Sequence, residues 1–226
     1  MTDPTYLSLI TERRARIAIL GSPSENTRTV WIVFHGYRQL AWYFIKKFTS
    51  ILDKQTVVAA PEGLSRFYLE GHKRVGASWM TKEDRLNEIE DQQTYLNQAL
   101  KEIKALFPAP GQGPRICVLG FSQGAATAWR WILKQQIDID AFVIWASQPP
   151  EEYSPEMDRC LASIPFYFVY GTKDQFISPE KGQELVSQLS GRYSNLQVLS
   201  FDGTHDLDAE TLQLVHQNIH LKLDIS

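Results

Sequence analysis

The chain is 226 residues long, 43% hydrophobic and 22% charged, which suits a single domain (1–226) with a substantial core. A net charge of −3 with no basic run argues against a nucleic-acid partner, and Cys117 and Cys160 make neither a disulfide framework nor a C-x-x-C metal pair. Met1-Thr2-Asp3-Pro4 opens no signal peptide and no apolar run approaches the ~20 residues of a membrane span, so a cytoplasmic chain without stable membrane insertion is expected.

Taken in order, residues 6–10 and 15–20 are apolar-rich runs separated by Thr11-Glu12-Arg13-Arg14 and read as an antiparallel hairpin at a sheet edge. Residues 29–34, Thr-Val-Trp-Ile-Val-Phe, are apolar throughout, as in a strand buried on both faces. A helix follows, with Leu40, Phe44, Ile45, Phe48, Ile51 and Leu52 on one face and Lys46 and Lys47 on the other. Residues 56–60 form the next strand, stopped by Pro61-Glu62-Gly63. Residues 64–81 read as a long irregular segment, of the kind that is usually functional or mobile. From 82 to 107 apolar residues recur at helical spacing, Leu86, Ile89, Leu96, Leu100, Ile103 and Phe107 among them, and the Pro- and Gly-rich 108–114 ends that helix.

Residues 115–119 are a buried strand, 125–129 read as helix, and 141–146 are a further buried strand. A polar loop runs from Gln148 to Arg159, and 164–170 is a strand with Pro165 at its start. Ser178-Pro179-Glu180 carries a helix start and Gly191 its end. Residues 196–201 form the last strand, and a helix bearing Leu212, Val215 and Ile219 closes the chain, with Asp206 as its helix-start acid. Strands alternating with helices predict an α/β fold, a mainly parallel sheet covered on both faces, with the chemistry at the carboxyl ends of the strands.

Between the strand 115–119 and its helix stands Gly120-Phe121-Ser122-Gln123-Gly124. Strand, G-x-S-x-G and helix together make a nucleophile elbow: the turn is tight enough that only glycine fits beside the serine, and the hydroxyl is held above the sheet end. The N–H of Gln123, at the helix start, points into the same space and suits a developing oxyanion. The alternative is a glycine-flanked turn with an incidental serine.

A serine alcohol needs a base in contact. Of five histidines, His205 follows a strand and precedes a helix at the required edge. His35 reads as a polar residue packed beneath the site, His72 as a surface residue, and His216 and His220, one turn apart on the last helix, as exposed residues with no third ligand to complete a metal site. The acid that fixes the base's tautomer is Asp174, again beyond a strand, in preference to Asp202, Asp206 and Asp208. The order Ser122, Asp174, His205 is that of α/β-hydrolases. A second oxyanion donor is expected from the backbone N–H of Tyr37, with Gly36 allowing close approach. Tyr37, Trp42, Tyr43, Phe67, Tyr68, Trp79 and Trp145 are candidates to line an apolar pocket, Trp79, Trp145 and Phe67 foremost, although aromatics are more often core than pocket.

Phe34-His35-Gly36, Ala60-Pro61-Glu62-Gly63, Ser78-Trp79, Gly120-Phe121-Ser122-Gln123-Gly124, Gly171-Thr172-Lys173-Asp174 and Gly203-Thr204-His205 occur in the order of the phospholipase/carboxylesterase family, which the chain resembles from Thr29 onward. That group contains the acyl-protein thioesterases. The resemblance implies a lidless serine esterase with the α/β-hydrolase fold, Ser122, Asp174 and His205 as its triad, and Tyr37 and Gln123 as oxyanion donors. The chain departs from the family's H-G-x-G-D at Arg38 and Gln39, from S-W-F-D at Met80 and Thr81, and from a second glycine after the elbow at Ala125.

The expectation is therefore a carboxylesterase-type serine hydrolase acting on short to medium acyl esters through an acyl-enzyme, with no cofactor and no metal. A thioesterase or lysophospholipase using the same triad, and a non-catalytic hydrolase-fold binding protein, are the alternatives. The partner expected is a small-molecule acyl ester or thioester; a homodimer stays open.

Overall fold

A computed structural model describes residues 3–107, 113–150 and 160–225, and of Ile225 the backbone alone. Residues 108–112 of the expected turn and 151–159 of the expected polar loop lie outside the described residues. The strands are β1 (Ile17–Leu20), β2 (Thr29–Phe34), β3 (Thr56–Pro61), β4 (Ser65–Tyr68), β5 (Val75–Ser78), β6 (Arg115–Phe121), β7 (Ala141–Trp145), β8 (Phe166–Gly171) and β9 (Leu196–Phe201). The α-helices are α1 (Ala41–Phe44), α2 (Arg85–Ala105), α3 (Gln123–Gln135), α4 (Pro179–Ser190) and α5 (Ala209–Ile225), and a 3-10 segment, Ile45–Ile51, continues α1.

Seven strands form one sheet in the order β1-β3-β2-β6-β7-β8-β9. Every neighbouring pair is parallel except β1 with β3. The unbroken apolar run of β2 follows from burial on two faces: Val30, Ile32 and Phe34 enter one core, Trp31 and Val33 the other. The first core lies under α2, α3 and α4, through Leu96, Trp129, Ile132 and Leu185. The second lies under α1, the 3-10 segment and α5, through Phe44, Phe48, Leu212 and Val215. Trp129 sits edge-on to both Phe142 and Phe166, and each such buried aromatic stabilises the fold by about 1.5–3 kcal/mol.

Several expectations are corrected. The N-terminal antiparallel strand lies at the sheet edge as expected, but its partner is β3; residues 6–10 form no strand, because Tyr6, Leu7, Leu9 and Ile10 are exposed and have no surface to pack on. Residues 64–81 are not an irregular segment: β4 and β5 pair antiparallel from Ser65–Ser78 to Tyr68–Val75 in a two-stranded sheet. Leu86 is exposed, and α2 buries Gln92 and Gln93 between its apolar residues. The cap of α5 is Asp208, whose Oδ2 accepts the Thr211 N–H at 2.8 Å and its hydroxyl at 2.7 Å, whereas Asp206 reaches Lys47 Nζ at 2.7 Å.

His216 and His220 are half-buried rather than exposed. Their rings stand 4.4 Å apart against the start of β2, where Trp31 Nε1–H donates to His216 Nδ1 at 3.2 Å. Burial, then His220, pushes His216 down to about 4 against the pull of Asp53.

Candidate active site

Each residue named for the chemistry lies beyond the carboxyl end of a sheet strand: Tyr37 after β2, Ser122 after β6, Asp174 after β8 and His205 after β9. Ser122 adopts φ 54°, ψ −123°, a conformation that costs a non-glycine residue about 1–3 kcal/mol. The surroundings enforce it. A Cβ at Gly120 would stand 2.2 Å from the Ala125 Cα, and one at Gly124 would stand 2.4 Å from the carbonyl oxygen of Phe34. The Ser122 N–H is held by the Trp145 carbonyl at 2.9 Å. The elbow thus projects the serine side chain above the sheet, and Gly124 lets the start of α3 press against the end of β2, beside Gly36 and Tyr37.

The loops after β8 and β9 are joined by their backbones, Thr172 N–H to Phe201 O and Lys173 N–H to Gly203 O, both 2.9 Å. This brings His205 between the other two residues. Its Nε2 lies 2.9 Å from Ser122 Oγ and its Nδ1 2.7 Å from Asp174 Oδ2. A carboxylate only accepts, so the imidazole donates from Nδ1 and its Nε2 lone pair faces the serine hydroxyl. The Asp174 side chain is fully buried, while that of His205 keeps a small exposed area. The competing acids are elsewhere: Asp202 is exposed and paired with Lys173 Nζ at 2.7 Å, and Asp206 and Asp208 serve the contacts given above.

Gln123 is the first residue of α3, whose N–H has no intrahelical acceptor. Tyr37 stands half-exposed beyond β2, its ring stacked on Phe67 at 5.3 Å. His35 is buried and accepts the Gly63 N–H on Nε2 at 3.0 Å while its Nδ1–H donates to the Gly36 carbonyl at 2.8 Å. Burial drives its pKa down to about 4, opposed by the Gly36 carbonyl and by Glu62, so the ring is neutral, as a packing residue beneath the site should be. Burial also pushes the Cys117 thiol up and keeps it out of the chemistry.

Of the pocket residues read from sequence, Phe67 is half-buried and stacks on Tyr37, while Trp42, Tyr43 and Tyr68 are exposed. Trp79 and Trp145 are fully buried and are corrected to supports: Trp79 Nε1–H donates to the His35 carbonyl at 2.7 Å and Trp145 Nε1–H to that of Asp206 at 3.0 Å. Phe176 was missed. Its ring is edge-on to His205 at 4.6 Å and remains 67% exposed. The signal in sequence is a large apolar residue two places after the acid, beside an Ile177 that alone of the two is buried. No group of three or more metal-ligating side chains occurs among the described residues. No helix among them is long and apolar enough to cross a membrane.

Solved structures share this fold. Acyl-protein thioesterase 2 of Zea mays superposes with a TM-score of 0.68 at 17% identity, over 93% of this chain and 100% of that one. The phospholipase/carboxylesterase of Dyadobacter fermentans gives 0.63 at 16% identity, over 93% and 99%. The Bacillus cereus carboxylesterase gives 0.62 at 16%, over 91% and 93%. At such identities the likeness is one of fold. No curated protein sequence matches the chain. The family profile described as "Serine hydrolase (FSH1)" matches residues 27–213, and the chain belongs to that family of serine hydrolases.

Proposed function

We propose that this serine hydrolase cleaves carboxylic esters of short to medium acyl chain through an acyl-enzyme. Ser122 Oγ attacks the carbonyl carbon while His205 Nε2 takes its proton, and the oxyanion forms against the N–H groups of Tyr37 and Gln123. His205 then gives the proton to the leaving alkoxide, and the Ser122 acyl ester remains. Water attacks that ester with His205 as base, releasing the acid and restoring the serine. Asp174 holds His205 in the tautomer this requires and stabilises its cation.

The observation that carries this reading is the position of His205, 2.9 Å from Ser122 Oγ and 2.7 Å from Asp174 Oδ2. A binding protein would have no use for a serine in a strained turn aligned with a base and a buried acid. The test is a fluorophosphonate probe with intact-mass analysis, paired with p-nitrophenyl butyrate turnover. One phosphonyl adduct on Ser122 is expected, and Ser122→Ala should lose at least ~10³-fold in rate with the fold unchanged. Turnover near wild type in Ser122→Ala would overturn the assignment.

A further inference from the structure

We infer that strand β5 and the residues just after it are the platform on which both oxyanion donors are positioned, that the Gln39 side-chain amide locks the shape of the Tyr37 loop that backbone bonds join to β5, and that the Gln123 side-chain amide clamps the second donor to the end of the strand; this rests on the function proposed above. The loop after β2 is joined to β5 as if it were a further strand. Arg38 N–H donates to the Ala77 carbonyl at 2.9 Å, and the Ala77 N–H donates to the Gln39 carbonyl at 3.1 Å. Gln39 then closes the loop on itself. Its Oε1 accepts the Gly36 N–H at 2.8 Å, and its own N–H donates to the Gly36 carbonyl at 3.2 Å.

That carbonyl shares one planar peptide with the Tyr37 N–H, so fixing the oxygen fixes the direction of the donor. Position 38 lies at φ 71° without a glycine, and position 39 supplies an amide oxygen as the acceptor. Of the departures from H-G-x-G-D, Arg38 takes a conformation that favours glycine, and Gln39 supplies the contact that holds the loop's shape.

The second donor is tied to the residues at and just after the end of β5. Gln123 Oε1 accepts the Trp79 N–H at 3.1 Å, and its Nε2 donates to the Met80 carbonyl at 2.8 Å and to Ser78 Oγ at 3.2 Å. The Ser78 hydroxyl donates to the same Met80 carbonyl at 2.7 Å. The hairpin is in turn fastened to α2: Ser65 Oγ donates to Glu88 Oε1 at 3.0 Å, and the Thr81 N–H donates to Glu88 Oε2. Two donors that must meet one oxygen at about 2.7–3.1 Å are thereby set against residues 77–80. The Gln39 amide oxygen is spent on the Gly36 N–H, and both ends of the Gln123 amide on the backbone and on Ser78, so Gln39 and Gln123 are positioning residues. Their loss displaces a donor by a fraction of an ångström, and a misplacement of about 1 Å can cost about 10²-fold in rate.

The test compares Gln39→Leu, Gln39→Glu and Gln123→Leu with wild type, using p-nitrophenyl butyrate and a short alkyl trifluoromethyl ketone that adds reversibly to the serine. In Gln39→Leu and Gln123→Leu, kcat should fall about 10- to 100-fold with KM changed by less than about threefold, and the ketone's Ki should rise in proportion to the loss in kcat/KM. Gln39→Glu keeps the acceptor for the Gly36 N–H and should recover most of the rate. A kcat within about twofold of wild type in both leucine variants would overturn the inference, as would equal loss in Gln39→Glu and Gln39→Leu. Gln39→Met keeps the side-chain volume and replaces Gln39→Leu if that variant does not fold; failure of both to fold would make the clamp purely structural and overturn the inference too. If Ser122→Ala stays active, the proposed function fails; if it is inactive while the glutamine variants are unaffected, the clamps alone fail.

Discussion

The backbone N–H of Phe176 donates to Oδ1 of Asp174 at 2.8 Å, which leaves Oδ2 as the oxygen facing His205. The carboxylate is thus held from both sides, by its own loop and by the imidazole, inside a buried site.

That arrangement predicts the outcome of Asp174→Asn. The side-chain oxygen would keep the Phe176 N–H, so the NH₂ group would turn toward His205 Nδ1. An imidazole facing a donor at Nδ1 carries its proton on Nε2, where it cannot accept the serine hydroxyl proton. A folded protein with kcat lower by about 10³–10⁴-fold is expected. Asp202→Asn, which removes only an exposed pair with Lys173, should stay within about twofold, because surface pairs contribute little. Crippling loss in Asp202→Asn, measured as kcat on p-nitrophenyl butyrate, would move the acid's role to that residue.

Stability should fall as the solution is acidified through the range set by His35 and His216. Burial lowers both pKa values from the ordinary 6.5 of a histidine to about 4. Between those values the unfolded chain binds the protons and the native chain does not, so unfolding is favoured progressively as pH falls. The contribution is complete above about 6.5 and lost below about 4. For the buried His35 it amounts to roughly 3 kcal/mol, with His216 adding in the same direction. Urea unfolding from pH 7.5 to 4 checks this. His35→Asn, with no group to titrate there, should flatten the slope; an unchanged slope would show that other groups set it.

How much was legible in the sequence depended on how local the cause was. The elbow could be read because its cause is steric and lies within five residues: Gly120 and Gly124 have no room for a Cβ. The buried strands could be read because burial on two faces leaves runs such as that of β2 without polar interruption. The β4–β5 hairpin could not, since each strand is only four residues long, β4 has no buried residue to mark a face, and the two form a sheet of their own apart from the main one. Trp79 and Trp145 show why the pocket was misread. Size and apolarity say that a tryptophan is covered, and only the fold says whether protein or substrate covers it. Asp206 and Asp208, two residues apart, are equally plausible caps in sequence; the chain turns so that Asp208 meets the Thr211 N–H and Asp206 meets Lys47.

The proposed acyl preference is tested by what stands around the serine. An enzyme that takes long lipid chains from an interface needs a deep tunnel and an apolar cover that moves. Among the described residues, 64–81 are the connection whose length suggested such a cover, and they form a hairpin fastened to Glu88 and to Gln123. A segment held at both ends cannot swing as a lid without breaking those bonds. The apolar surface left near His205 and Tyr37 is open: Phe176 is 67% and Tyr37 51% exposed. An acyl chain laid against them gains at most about 0.8 kcal/mol, roughly fourfold, for each CH₂ it buries, and gains nothing for carbons that extend into water. With p-nitrophenyl esters below their micelle concentrations, kcat/KM should rise over the first few carbons and then level or fall. Phe176→Ala should flatten the rising limb through KM while leaving stability within about 0.5 kcal/mol, because the ring is mostly exposed. Efficiency that climbs steadily to palmitoyl, with activation at an oil–water interface, would mean that the hairpin opens and that a tunnel lies behind it.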